Sequence, residues 1–270
     1  MWNKFQTLHF KRFSKTALPL FGPILHKSIL SKNSEKMLCK LKNRVIIKVI
    51  GKEANNFVQN LVTANIIKLE NGKLLFGLFL NRKSEILADC FFFGQDNDVL
   101  IDCAKEKSTF LLDHLSKYNL RKKVDIKLEE PPSIYVYSGK KLRMRKNVYD
   151  DPRAALLGKR IYDYNNDFLK EKIEETTNEN FYSAHLATNG IQNTITSEMK
   201  DCNPFSLNYD LLNAIDFKKG CYLGQELVSQ IHSTGSVRKR LLPALIIKVL
   251  LEYVEFKNRR DENGRYFGKN

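Results

Sequence analysis

The chain alternates short apolar runs with polar punctuation, and the period of each run predicts its element. Arg44–Ile50 reads as a buried strand closed by Gly51, after which Ala54, Phe57, Val58, Leu61 and Val62 recur at helical spacing. Leu74–Leu80 and Ile86–Phe93 are aromatic-rich runs separated by Asn81–Glu85, the pattern of a hairpin with a polar loop. Gly94–Asp98 turns the chain into a third strand, Val99–Cys103. A helix from about Lys105 to Tyr118 follows, carrying Leu111, Leu115 and Tyr118 on one face, and Val124–Leu128 is again a strand. Beyond Pro131 and Pro132, Ile134–Tyr137 forms a short strand. Residues 138–153 are dense in bases alternating with Leu142, Met144 and Val148, which predicts a strand with one face in water, and Leu156-Leu157-Gly158 reads as a turn before another strand. Residues 167–179 are polar and without period, hence a loop. Phe181–Thr188 reads as a helix stopped by Asn189-Gly190, and Asn208 as the cap of a short helix Tyr209–Ala214. Strands and helices interleaved with hairpins predict an α+β fold with mainly antiparallel sheets.

The densest chemistry lies in the octet Lys219-Gly220-Cys221-Tyr222-Leu223-Gly224-Gln225-Glu226. Two glycines around one cysteine predict a tight bend with Cys221 at its apex. Gln225, Glu226, Leu227, Val228, Gln230 and Ile231 open a helix that runs past His232 to Gly235, so the thiol sits beside uncapped N–H groups and the positive end of a dipole. With Lys218 and Lys219 before it, Cys221 has the setting of a reactive thiol. The plainer reading is a small buried hydrophobe, the common fate of a free cysteine.

Charge modifies this picture at the N-terminus. Of a net +15, six charges lie in residues 1–34, which hold no Asp or Glu and leave +9 for the rest. Hydroxyls among Trp2, Phe5, Leu8, Phe10 and Phe13 complete the composition of an organelle transit peptide, with a basic tail as the plain alternative. No run approaches the ~18 apolar residues of a membrane helix. The five cysteines form no C-x-x-C pair and no zinc spacing. An odd count without a secretory signal points to a reducing compartment.

The octet resembles the signature of the YgfZ family, which is similar to the aminomethyltransferase (T protein) of the glycine cleavage system. Arg44–Gly51, Leu80-Asn81, Asp89, Asp151-Pro152-Arg153, Asn208 and Arg238–Leu241 follow the same pattern. The resemblance implies a T-protein-like folate-binding fold, a ring about a central cavity, over residues 39–240, with an optional division near 131. Residues 1–38 are then a mitochondrial transit peptide. Residues 241–270 are a remnant of a C-terminal β-barrel or a tail, the barrel being missing or the gene model cut short. It further implies iron–sulfur cluster assembly in the mitochondrial matrix, with an A-type scaffold and [4Fe–4S] client enzymes as partners. Cys221 is the implied functional thiol and a ligand of a transient cluster shared with the partner, since a cluster takes about four protein ligands. Lys219, Gly220, Tyr222, Gly224, Gln225, Glu226 and Asn65 are the implied contacts for tetrahydrofolate.

The departures concern charge. Thr63-Ala64-Asn65 stands where the T protein has Thr-Asn-Asp, and an amide has no basic lone pair for acid–base work. Ser206, Leu186 and Gln230 replace charged family residues. A folate-dependent one-carbon transferase is therefore disfavoured. The basic excess and Arg238-Lys239-Arg240 raise a competing RNA- or tRNA-binding reading, but no RNA-binding motif accompanies them. His232 lacks a second ligand at metal spacing.

Overall fold

A computed structural model describes residues 36–243 except 70–71, 96, 120–122, 131, 140–141, 143–145, 166–177 and 194–201. The leader, most of the polar stretch 167–179 and residues 244–270 lie outside these. Nine strands form two antiparallel sheets among the described residues. The first joins β1 (Lys36–Leu41), β7 (Ser133–Gly139), β9 (Lys159–Asp163) and β8 (Val148–Asp150) in that order. The second runs β3 (Leu74–Leu80), β4 (Ile86–Gln95), β5 (Asp98–Ala104), β2 (Arg44–Ile50) and β6 (Asp125–Glu129). The α+β class with antiparallel sheets is as the periodicity predicts.

Strands β2 to β5 of the larger sheet are buried on both faces, which is why they read as nearly continuous apolar runs, while the edge strand β6 is largely exposed. Val45, Ile47 and Val49 face α1 (Ala54–Gln59) and α2 (Ser108–Tyr118), packing with Phe57, Val58, Leu111 and Leu115. Ile46, Phe76, Leu78, Phe91 and Leu100 face the other way, into a core shared with Ile134, Val136, Tyr149 and Tyr162 of the smaller sheet. This alternation locks the register, since a one-residue slip would exchange the two faces. The β3–β4 turn is held by Asn81, whose Oδ1 accepts from the backbone N–H of Lys83 and of Glu85.

Two elements depart from the periodic reading. Tyr209–Ala214 is a series of turns, not a helix: Asn208 and Asn213 both sit at positive φ (64° and 57°) and stop a helix at either end. Asn208 is accordingly a tie rather than a cap, its Nδ2 donating to the carbonyls of Gly190 and Leu241. The other is β1, which the pattern does not announce. It pairs residue for residue with β7, burying Met37, Leu38 and Cys39. Two further helices complete the fold, α3 (Glu179–Thr188), capped by Asn178, and α4 (Gln225–Thr234).

Candidate functional site

The octet enters from a well-fastened segment. The Asp216 N–H donates to the Thr63 carbonyl, and the Thr63 hydroxyl donates to the Ala214 carbonyl while accepting from the Leu78 N–H. Lys219 then turns inward. Its ammonium donates to the carbonyls of Gln59, Val62 and Ala64 at 2.7, 2.6 and 2.7 Å, using all three of its protons. Four residues on, the Leu223 N–H donates to the Asn60 carbonyl at 2.9 Å. Gly220 and Cys221 are thus held out from a base pinned on both sides to the same segment, residues 59–64, while the half-buried Tyr222 packs against the core.

The far side of the bend is equally fixed. Gly224 has φ 79°, and a Cβ there would lie 2.3 Å from the Asn81 carbonyl oxygen, so glycine is required twice over. Its own carbonyl accepts from the Ser84 hydroxyl at 2.6 Å. Gln225 Oε1 accepts from the Tyr222 N–H, fastening the first turn of α4. Glu226 is exposed in that turn, where a carboxylate complements the helix dipole. Gly220 differs from Gly224, having nothing within 4 Å of its Cβ position. Phe217 stacks on His232 at 3.7 Å with an 8° interplanar angle, bracing the end of α4 against the turn segment that leads to the thiol.

This geometry leaves Cys221 as the exposed thiol. Cys39, Cys90 and Cys103 are buried, and burial pushes their thiols up, to about 11 for Cys39, about 12 for Cys103 and well above the usual range for Cys90. Cys202 is half-buried. The expected helix after the bend is present. The expected role of Lys219 is different, because its charge is committed to three carbonyls, and burial pushes its ammonium down to about 8. Asn65 accepts from Gln59 Nε2 and bonds Asp216, which also pairs with Lys68 at 2.7 Å. Burial tends to raise the Asp216 carboxyl, but hydrogen bonds from Lys68, the Lys218 backbone and Asn65 hold it below its ordinary value.

Of the residues that the resemblance assigns to tetrahydrofolate, Lys219 and Asn65 therefore spend their polar groups inside the chain, and Gln225 spends its Oε1. Gly220 and Gly224 offer no side chain, and the Tyr222 ring lies 5.0 Å from the Lys219 ammonium. With only the exposed Glu226 and the amide nitrogen of Gln225 left to contact a ligand, the octet by itself does not fit a folate, and no step is derived through one. Among the described residues, no three His, Cys, Asp or Glu side chains converge as a metal site. No described helix is long and apolar enough to cross a membrane.

A second polar centre lies between the two sheets, and the periodicity does not assemble it. Asp102 accepts from Arg44 Nε at 2.7 Å and from Arg160 Nε at 2.8 Å, and Tyr162 donates its hydroxyl to the same carboxylate. Its carboxyl is held low by Arg160 and Arg44, which outweigh burial. Arg153 forms a fork on Asp151 and donates to the Tyr182 hydroxyl. Arg44, Arg153, Arg160 and Tyr182, with Asp89, border a cavity of about 80 Å³. The sequence signal was available one residue at a time: Asp89 and Asp102 interrupt the runs Ile86–Phe93 and Val99–Cys103, where an acid has no place unless it is partnered.

Curated relatives of this chain are described as one class, mitochondrial factors of iron–sulfur cluster assembly. In particular, the protein described as iron-sulfur cluster assembly factor IBA57 homolog, mitochondrial, of Dictyostelium discoideum is 29% identical over 265 residues, covering 78% of this chain and 63% of its own length. Its namesake in Pyricularia oryzae is 30% identical over 220 residues (76% and 56%), and that of Neurospora crassa 28% over 236 residues (77% and 53%). The resemblance read from the octet is borne out. The chain spans 53% to 63% of the length of these three relatives. A glycine cleavage aminomethyltransferase T structure from Bartonella henselae overlaps 41% of this chain and 31% of its own, at TM-score 0.38 and 16% identity. No family model matches the chain.

Proposed function

We propose that this protein acts in mitochondrial iron–sulfur cluster assembly, with Cys221 as its functional thiol. The observation that carries the reading is the form of the octet: an exposed thiol held out on a bend whose two feet, Lys219 and Leu223, are fastened to the same segment. A fixed, accessible thiolate is what a transferable cluster needs from a protein that contributes one ligand. One thiolate cannot satisfy a cluster, so the remaining ligands come from a partner. An A-type scaffold supplying cysteines suits that count, and [4Fe–4S] client enzymes are the destination. The cluster is cargo, and the described residues provide no resident site for it. The similarity to mitochondrial assembly factors and the acid-free basic leader support action in the mitochondrial matrix.

The test is anaerobic reconstitution of the full chain with an A-type scaffold, iron and sulfide. Visible absorbance beyond that of the scaffold alone, together with a stable heterocomplex, is the expected result. Cys221→Ser should abolish both while leaving the melting transition in place. A serine variant that assembles and delivers clusters like the parent would make the octet a purely structural device.

A further inference from the structure

Four non-glycine residues among those described sit at positive φ: Asn147, Asn208, Asn213 and Ser84. Asparagine tolerates left-handed backbone and serine does not favour it, so Ser84 at φ 61° is the outlier. It ends the turn between β3 and β4, its N–H donating to the Asn81 carbonyl at 3.0 Å. A left-handed residue after such a turn is the position that glycine ordinarily fills in a hairpin. Serine there is strained, and strain of this kind persists only where the surroundings fix it.

Those surroundings are one foot of the thiol bend. Ser84 is 2% exposed, and its hydroxyl donates to the Gly224 carbonyl at 2.6 Å, across 140 residues of chain. The two segments also touch closely, since a Cβ on Gly224 would fall 2.3 Å from the Asn81 carbonyl oxygen and 2.8 Å from Leu80 Cβ. The turn is itself braced: Asn81 Oδ1 accepts from the N–H groups of Lys83 and Glu85, and Asn81 Nδ2 donates to the Glu85 carboxylate. Gly224 opens α4, and the carbonyl at that position accepts the first bond of a helix, which leaves one lone pair for an outside donor. Ser84→Gly would relieve the backbone but withdraw that donor.

We propose that Ser84 is a positioning residue for Cys221: its hydroxyl ties the start of α4 to the β3–β4 turn and so fixes the bend from which the thiol projects. The proposal rests on Cys221 being the functional thiol. The Lys219 ammonium and the Leu223 N–H fasten the bend to residues 59–64, and Ser84 fastens it to a separate hairpin. Attachments to a single segment leave a hinge about that segment; a further one on another turn removes it. The thiolate is then presented in one place, so a partner's ligands meet it without the cost of ordering a loop.

The test compares, in the full chain, Ser84→Gly, which removes hydroxyl and strain together, with Ser84→Ala, which removes the hydroxyl and keeps the strain. Urea midpoints should place Ser84→Gly close to the parent and Ser84→Ala below both. Amide exchange should ignore that ranking. The Tyr222 and Gln225 N–H groups, which bond within the bend, should exchange about fivefold faster in both variants, the equivalent of one hydrogen bond. Exchange at Asp216, bonded to Thr63, should not move. In reconstitution with an A-type scaffold, both variants should give less bridged-cluster absorbance than the parent at equal protein. Exchange that follows the urea midpoint, or that matches the parent in Ser84→Gly, makes Ser84 a packing contact and overturns the proposal. Faster exchange with parent-like cluster assembly overturns it too. Cys221→Ser leaves the Ser84 tie in place, so retained cluster assembly in that variant would overturn the thiol reading, and this proposal with it, whatever the exchange rates show.

Discussion

Replacing Lys219 by methionine isolates what its ammonium does for the octet. Methionine keeps the length and apolar stem but removes three donors, leaving the carbonyls of Gln59, Val62 and Ala64 without their partner. A hydrogen bond from a charged group is worth about 1.5–3 kcal/mol net, and a carbonyl left unpaired when buried costs a similar amount. Three such bonds set an upper limit near 9 kcal/mol. Lys219 is half-buried, however, so water recovers part of the loss, and the cost of holding an ammonium away from water disappears with it. The expected destabilisation is about 2–4 kcal/mol. Urea melts of parent and variant give that number directly, and amide exchange locates it: the Leu223 N–H, bonded to the Asn60 carbonyl, should lose protection first. Lys219→Arg should recover little, because a planar fork does not match three carbonyls converging on one nitrogen. A methionine variant within 0.5 kcal/mol of the parent, with Leu223 protection unchanged, would refute the reasoning.

The same clamp has a pH signature. Burial places the Lys219 ammonium near 8, below the usual 10.5, so the unfolded chain binds more protons than the folded one between these values. Stability contributed by this group therefore rises with pH across that window, and the gap between parent and Lys219→Met should widen from pH 8 to 10; a gap that narrows would show that the carbonyls outweigh burial. Gly224→Ala should cost about 2–4 kcal/mol, through positive φ and a 2.3 Å approach to the Asn81 oxygen, whereas Gly220→Ala should leave the urea midpoint unmoved. Any loss of cluster transfer in a stable Gly220→Ala chain then belongs to contact with a partner. Under brief iodoacetamide treatment at neutral pH, mass mapping should find Cys221 modified ahead of Cys39, Cys90 and Cys103, which are buried with raised thiols; label on a buried cysteine first would contradict the geometry. With aminomethyl-lipoate analogue and tetrahydrofolate the chain should be silent, since Asn65 is an amide occupied by Gln59 and Asp216, and turnover like that of a T protein would overturn this.

Local signals carried some of this structure and not the rest, for reasons visible at single residues. Strands β2 and β3 were legible to their ends because Val, Ile, Leu and Phe runs are closed by Gly51 and Asn81, where the chain must turn. The α4 start was legible because Gly224 precedes a helical run. Tyr209–Ala214 misled because Asn caps helices and also adopts positive φ, and the choice between the two is made by the carbonyls of Gly190 and Leu241, which lie 18 and 33 residues away. Lys219 was legible as a neighbour of Cys221 but not as a clamp, since its three acceptors are backbone atoms some 155 to 160 residues upstream. The inter-sheet cavity extends the same limit to a whole site. Arg44, Asp102 and Arg160 come from three strands of two sheets, and each breaks an apolar run only once. A charged residue inside such a run is costly unless paired, so its presence announces that partners exist without saying where. For Asp102 the partners prove to be arginines of this chain. For Asp89 they are its own backbone N–H and the nearby Arg44 and Arg153, which pull its carboxyl down against a burial that still raises it.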